Sequence, residues 1–179
     1  MRALILSVCA LVFALCVPAF AQEMQAPPKC ASVAAPPPAL SGWSSKQDLA
    51  AAAKEDGIAS AALTVTHAAS VTLHPTREVS FITQPDKPGG SVAHGGLLGV
   101  TIASAGTYQI NLSSGAWIDL VRDGKSVLST AHALGPTCTG IRKTVQFPLQ
   151  PGHYVLQISA NADPAIDVMV SNVMVSQAN

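Results

Sequence analysis

One phrase occurs twice in this chain, and the repetition constrains the fold more than any other feature. Ala105-Gly106-Thr107-Tyr108-Gln109-Ile110-Asn111-Leu112 is answered by Pro151-Gly152-His153-Tyr154-Val155-Leu156-Gln157-Ile158. Each sets a turn glycine before an alternating apolar run led by tyrosine. Successive side chains of a strand point to opposite faces, so Tyr108, Ile110 and Leu112 share one face, as do Tyr154, Leu156 and Ile158. Two strands, each with one buried face, are predicted. Between them residues 116–129 form a hairpin pattern, because Asp123-Gly124 supplies the positive backbone angles of a two-residue turn.

The same alternation extends outward. Leu63-Thr64-Val65-Thr66, Val71-Thr72-Leu73 and Val79-Ser80-Phe81-Ile82 are β-branched and alternating, and predict three short strands. Further strands are expected over 98–102, 144–149 and 166–170. Pro85, Pro88 and the pairs Gly89-Gly90 and Gly95-Gly96 predict a long exposed loop from Gln84 to Gly96, and residues 131–140 a second irregular loop. The one helical signal is Ser44-Ser45-Lys46-Gln47, a capping-box pattern, followed by an alanine-rich stretch from Asp48 to Glu55 that ends at Gly57. The expected fold is all-β: an antiparallel two-layer sandwich over 43–179 with jelly-roll or Greek-key connections and at most one short helix. Its predicted core is Val100, Ile102, Tyr108, Ile110, Leu112, Ile118, Leu120, Val145, Phe147, Tyr154, Leu156, Ile158, Val168 and Val170.

Residues 1–21 have the pattern of an export signal: Arg2, an apolar run from Leu4 to Val17, and the small-x-small site Ala19-Phe20-Ala21. The apolar run is short for a membrane span, and Pro18 follows it, so cleavage before Gln22 and no stable span are expected. Residues 22–42 are rich in proline and alanine and predict an extended arm. Arg2 is the one charged residue in 1–21, so a chain that starts neutral overall stays nearly so. That balance argues against nucleic acid or an anionic membrane as partner. Of four cysteines, Cys9 and Cys16 fall in the signal, and an exported chain most simply joins the other two, Cys30 and Cys138. So long a loop is worth about 4 to 5 kcal/mol in the chain-entropy model, and the bridge would tie the arm to the sandwich. C-x-x-C spacing, which would suit redox thiols, is missing.

Few residues point to a chemistry. His67, His74, His94, His132 and His153 are scattered, with no H-x-H or H-x-x-E, and His94 with His132, joined by Asp119 or Asp123, is the best metal candidate. There is no G-x-S-x-G elbow. The acids are few and sit beside turn residues, where Asp123 and Asp163 shape the backbone. Trp117 and Asp119 share a strand face opposite Ile118 and Leu120, so an indole beside a carboxylate faces outward, as in a sugar-binding platform. The plainer expectation is that the arm, pinned near Cys138, covers Trp117. Arg142 and Lys143 alternate faces and do not form a joint anion site.

Two resemblances add to this reading. With Ala-Gly-Thr-Tyr at 105–108, Asp-Leu-Val at 119–121, Asp-Gly-Lys at 123–125 and Pro-Gly-His-Tyr at 151–154, the stretch from Gly96 to about Ser171 resembles the pre-peptidase C-terminal (PPC) domain, a β-sandwich appended to many secreted bacterial proteases. Over its full length, through Gly42-Trp43, residues 85–90, Trp117-Ile118-Asp119, residues 135–138, Arg142-Lys143 and residues 147–152, the chain is similar to short exported bacterial proteins often named homogentisate 1,2-dioxygenase. That name implies an Fe(II) enzyme with two histidines and a carboxylate on the metal. Here no two histidines stand with a glutamate at ligand spacing. The function expected is therefore a periplasmic or secreted, non-catalytic binding or accessory protein of the cell envelope, without a cofactor and with a glycan or another protein as ligand. The alternatives are the small iron dioxygenase that the name implies and a weak periplasmic copper or zinc binder.

Overall fold

A computed structural model describes residues 30–173. The export signal expected at 1–21 and the arm residues 22–29 lie outside the described residues. The strands are β1 (Lys46–Ala50), β2 (Ala62–Leu63), β3 (Ala68–Thr72), β4 (His74–Pro75), β5 (His94–Ile102), β6 (Gly106–Leu112), β7 (Trp117–Arg122), β8 (Lys125–Val127), β9 (Ala131–Leu134), β10 (Lys143–Leu149), β11 (Gly152–Asn161) and β12 (Ala165–Asn172). Sheet I runs β1-β3-β12-β6-β10-β9 and sheet II runs β2-β5-β11-β7-β8, with β4 beside β5. Most pairings are antiparallel; β1 with β3 and β2 with β5 are parallel. The two sheets form a sandwich.

Every predicted core residue is buried in one cluster between the sheets. The twin phrases become β6 in sheet I and β11 in sheet II, so each tyrosine-led strand lines the core from its own layer. Tyr108 and Tyr154 keep their hydroxyls satisfied, donating to Ser104 O at 2.9 Å and Gln150 O at 2.8 Å. That hydrogen bond is what allows a phenol to be buried at no net loss. The β7–β8 hairpin turns on Asp123 and Gly124, with φ of 51° and 72°, the paired positive angles of a tight hairpin turn.

Several local expectations are overturned. The alanine-rich stretch from Asp48 is not a helix: residues 46–50 form β1, whose register on β3 runs from Lys46 opposite Ala68 to Ala50 opposite Thr72. Backbone pairing outweighs a weak helix propensity in five residues. Among the described residues the helical segments are all 3-10: Pro38–Ser44, Glu55–Ser60 and Thr76–Glu78. Residues 79–82 are not a strand but the start of a strap, 79–93, laid over the outward face of sheet II. Residues 131–134 form the edge strand β9 rather than a loop. Gly95 and Gly96 belong to β5, because the strand passes too close to its neighbours for a side chain. A Cβ on Gly95 would lie 2.5 Å from Ile158 O, and one on Gly96 would collide with the Ala51 methyl.

Each outward sheet face has its own cover. The arm crosses the outside of sheet I, held by the Cys30–Cys138 disulfide and by Ala34 N–H donating to Cys138 O at 2.7 Å. Behind it Leu40, Trp43, Ala68, Ile141 and Met169 make a second small apolar cluster. The Pro38–Ser44 turns replace the extended end expected for the arm. On sheet II the strap is held by polar side chains of β11. Gln157, 1% exposed, accepts from Ile82 N–H at 2.6 Å and Thr83 N–H at 3.1 Å, and donates to Thr83 O at 3.0 Å. Ser159 Oγ donates to Lys87 O at 2.9 Å.

Candidate functional site

Strand β8 pairs with β7 only over Leu120–Arg122, so the first half of β7 has no strand on that side. The gap opens a cleft of about 480 Å³ between the sheet edges, lined by core residues Ile118, Val145 and Phe147, by Trp117, Asp119, Lys143 and His132, and by strap residues Gln84 and Asp86. The exposed crossover Leu128-Ser129 from β8 towards β9 forms its outer wall.

Alternation puts Trp117 and Asp119 on the outer face of β7, two residues apart, and the indole N–H donates to Asp119 Oδ1 at 3.1 Å. The other carboxylate oxygen, Oδ2, is buried without a hydrogen-bond partner. Burial raises the Asp119 carboxyl above its ordinary range; the Trp117 bond opposes this, Asp86 adds to it and Lys143 opposes it. Lys143 starts from β10 in sheet I and reaches across the gap, donating from Nζ to Ala116 O at 2.8 Å. Burial, and then the charge of Lys87, lower its amine, with Asp119 acting against them. Both ammonium groups flank Trp117, Lys87 at 5.0 Å and Lys143 at 5.6 Å from the ring centroid. Such contacts are favourable in the field of an indole ring.

No protein-family model and no curated protein matches this chain. The residues themselves therefore carry the reading. Of the candidate ligand-binding and metal residues, Trp117, Asp119 and His132 line this cleft. The cover expected over Trp117 is corrected: the groups that flank it are Lys87 from the strap and Lys143 from β10, while the arm's disulfide and its Ala34 hydrogen bond lie at Cys138. The metal grouping is corrected as well. His94 pairs opposite Asn161 at the start of β5, and Asp123 sits in the β7–β8 turn, lining a different cleft with His153 and Glu55. Among the described residues no three His, Cys, Asp or Glu side chains gather to hold a metal ion. His74 donates from Nε2 to Ala51 O at 2.9 Å, and His153 bonds Thr101 Oγ1 at 3.0 Å, both local roles.

Lys143 is the site residue that sequence reasoning missed. Its strand alternation was legible, but alternation separates it from Arg142 without showing that it spans to the other sheet. Lys87 was hidden for a similar reason, since nothing local ties residue 87 to residue 117.

Proposed function

We propose that this is an exported, non-catalytic binding module and that its ligand, a glycan, occupies the cleft beside Trp117. The observation that carries this is the composition of the cleft: an indole and an apolar floor next to a carboxylate, an amine, an imidazole and the hydroxyls of Ser126 and Ser129. A sugar ring needs that combination, because its C–H face packs on an aromatic surface while its hydroxyls demand charged or amide partners. Lys87 is exposed, and its ammonium is the part of the cover a sugar would displace. The export pattern at 1–21 and a disulfide of the kind formed in oxidising compartments support a periplasmic or secreted location. The resemblance to the PPC sandwich supports an accessory role.

Titration calorimetry of the mature protein with a panel of methyl glycosides and neutral oligosaccharides tests the reading. Binding by at least one sugar, weakened about tenfold or more in Trp117→Ala, is expected for the loss of a stacking aromatic. A folded protein that binds none of them, or a variant that binds as well as the parent, overturns it.

A further inference from the structure

The edges of the two sheets are not equally guarded. An edge strand offers unpaired N–H and C=O groups to any other strand, and charge, proline or shortness normally keeps such partners away. Among the described residues β1 carries Lys46 and Asp48, β8 carries Lys125 and is three residues long, and β2 and β4 have two residues each, with Pro75 in β4. Strand β9, at the far end of sheet I, has neither charge nor proline. Its Ala-His-Ala-Leu is exposed throughout, with Leu134 86% exposed, and the crossover leading into it presents Leu128 at 84%. No Asp, Glu, Lys or Arg occurs from Ser126 to Ile141.

The register fixes which groups are free. Backbone groups of successive residues point to alternate sides of a strand. Gly135 N–H donates to Arg142 O at 3.2 Å, so Ala133 and Ala131, opposite Thr144 and Gln146, also turn their backbone groups towards β10. His132 and Leu134 therefore turn theirs to the open side. Pro136, next in the alternation, has no N–H. The open ladder is thus confined to His132 and Leu134 and centred on Ala133.

We propose that this edge pairs antiparallel with the same edge of a second copy of the chain, about a two-fold axis at Ala133. In that register His132 of each copy stands opposite Leu134 of the other, and four main-chain hydrogen bonds satisfy the open groups of both ladders. An uncharged edge meets its own copy without like-charge repulsion, whereas a charged partner would find no counter-charge on it. The two six-stranded layers join into one continuous sheet. Leu134 of each copy then packs on the His132 imidazole of the other, at the wall of the cleft that His132 lines. The pairing does not depend on what that cleft binds. So small a contact belongs with weak, reversible interfaces.

Sedimentation of the mature protein should show monomer at about 1 μM and mainly dimer at about 1 mM, the range of a weak interface. Leu134→Lys alters an exposed side chain and should weaken the dimer about tenfold or more while leaving the unfolding midpoint unchanged. Cysteine trapping reads the register. Across the axis the two copies of residue 133 lie about 4.5 Å apart at Cα, within reach of a disulfide, whereas the two copies of residue 131 lie about 14 Å apart. Oxidised glutathione at high protein concentration should therefore cross-link Ala133→Cys and leave Ala131→Cys uncoupled. A protein that is still monomeric at about 1 mM overturns the proposal. So does a dimer that Leu134→Lys leaves intact, or one in which A131C links as readily as A133C.

Discussion

Trp43 and Trp117 each lie on an outward face of the sandwich and send their indole N–H to an oxygen, but under different kinds of cover. Trp43 is 3% exposed, packs on Ala68 and Met169, and donates to the backbone oxygen of Thr139 at 3.1 Å. Its neighbourhood is closed by a covalent bridge and apolar side chains, with one ammonium, that of Lys46, 5.4 Å from the ring centroid. Trp117 is half-buried, donates to a carboxylate and is flanked by two ammonium groups on long side chains. A tryptophan closed in by the disulfide arm serves stability, whereas one under displaceable charges keeps a surface that a ligand can reach.

Truncating the two rings should separate these roles most sharply. Trp43→Ala is expected to lose about 3 to 5 kcal/mol in guanidinium unfolding, the range for a large buried aromatic, and Trp117→Ala about 1 kcal/mol. Equal losses would break the contrast. Replacing Cys30 and Cys138 together with serine should remove about 2 to 5 kcal/mol, because the bridge spans a sequence separation of 108 residues. An unchanged unfolding midpoint would mean that the arm needs no bridge. Gln157→Ala should weaken the strap by about 1 to 3 kcal/mol, the penalty for stranding buried polar groups. Hydrogen exchange should quicken at the amides of Ile82 and Thr83 and stay slow at Ile110.

The smallest effect concerns pH. Because the folded Asp119 carboxyl holds its proton more tightly than the ordinary value of 3.8, the native state binds more protons than the unfolded chain just above that value. Stability contributed by this group is therefore lost as pH rises through the window from 3.8 upward. Asp119→Asn should match the parent below the window and melt slightly higher near neutral pH, as thermal unfolding at several pH values would reveal. A variant that melts lower at neutral pH would mean that the ionised carboxylate is stabilising.

The sandwich was legible in the sequence because period-two burial is a local signal: each residue from Val100 to Val170 assigned to the core by alternation is buried. The hairpin and the disulfide followed from equally direct chemistry, an Asp-Gly turn and a single pair of cysteines outside the expected signal. Where prediction failed, partners distant in the chain decided the outcome. Residues 46–50 look helical alone and become a strand only because β3 offers an open edge. Residues 79–82 alternate like a strand but are fastened by Gln157 Oε1 at Ile82 N–H and by Ser80 N–H donating to Ala53 O at 2.8 Å, not by a ladder. The candidate site was half visible, with Trp117, Asp119 and His132 recognisable. Lys87 and Lys143 arrive there only through the fold.

The position of β12 governs the order in which this molecule can be completed. That strand, the last of the twelve in chain order, sits in the middle of sheet I between β3 and β6, pairing Val168 with both Ala69 and Leu112. Until the ribosome has delivered it, the halves of the layer have no common keystone and two bare flanks await a partner. Sheet I can therefore close only after all eleven preceding strands are present, and a chain truncated before Ala165 should remain a client of chaperones rather than a smaller version of the same protein.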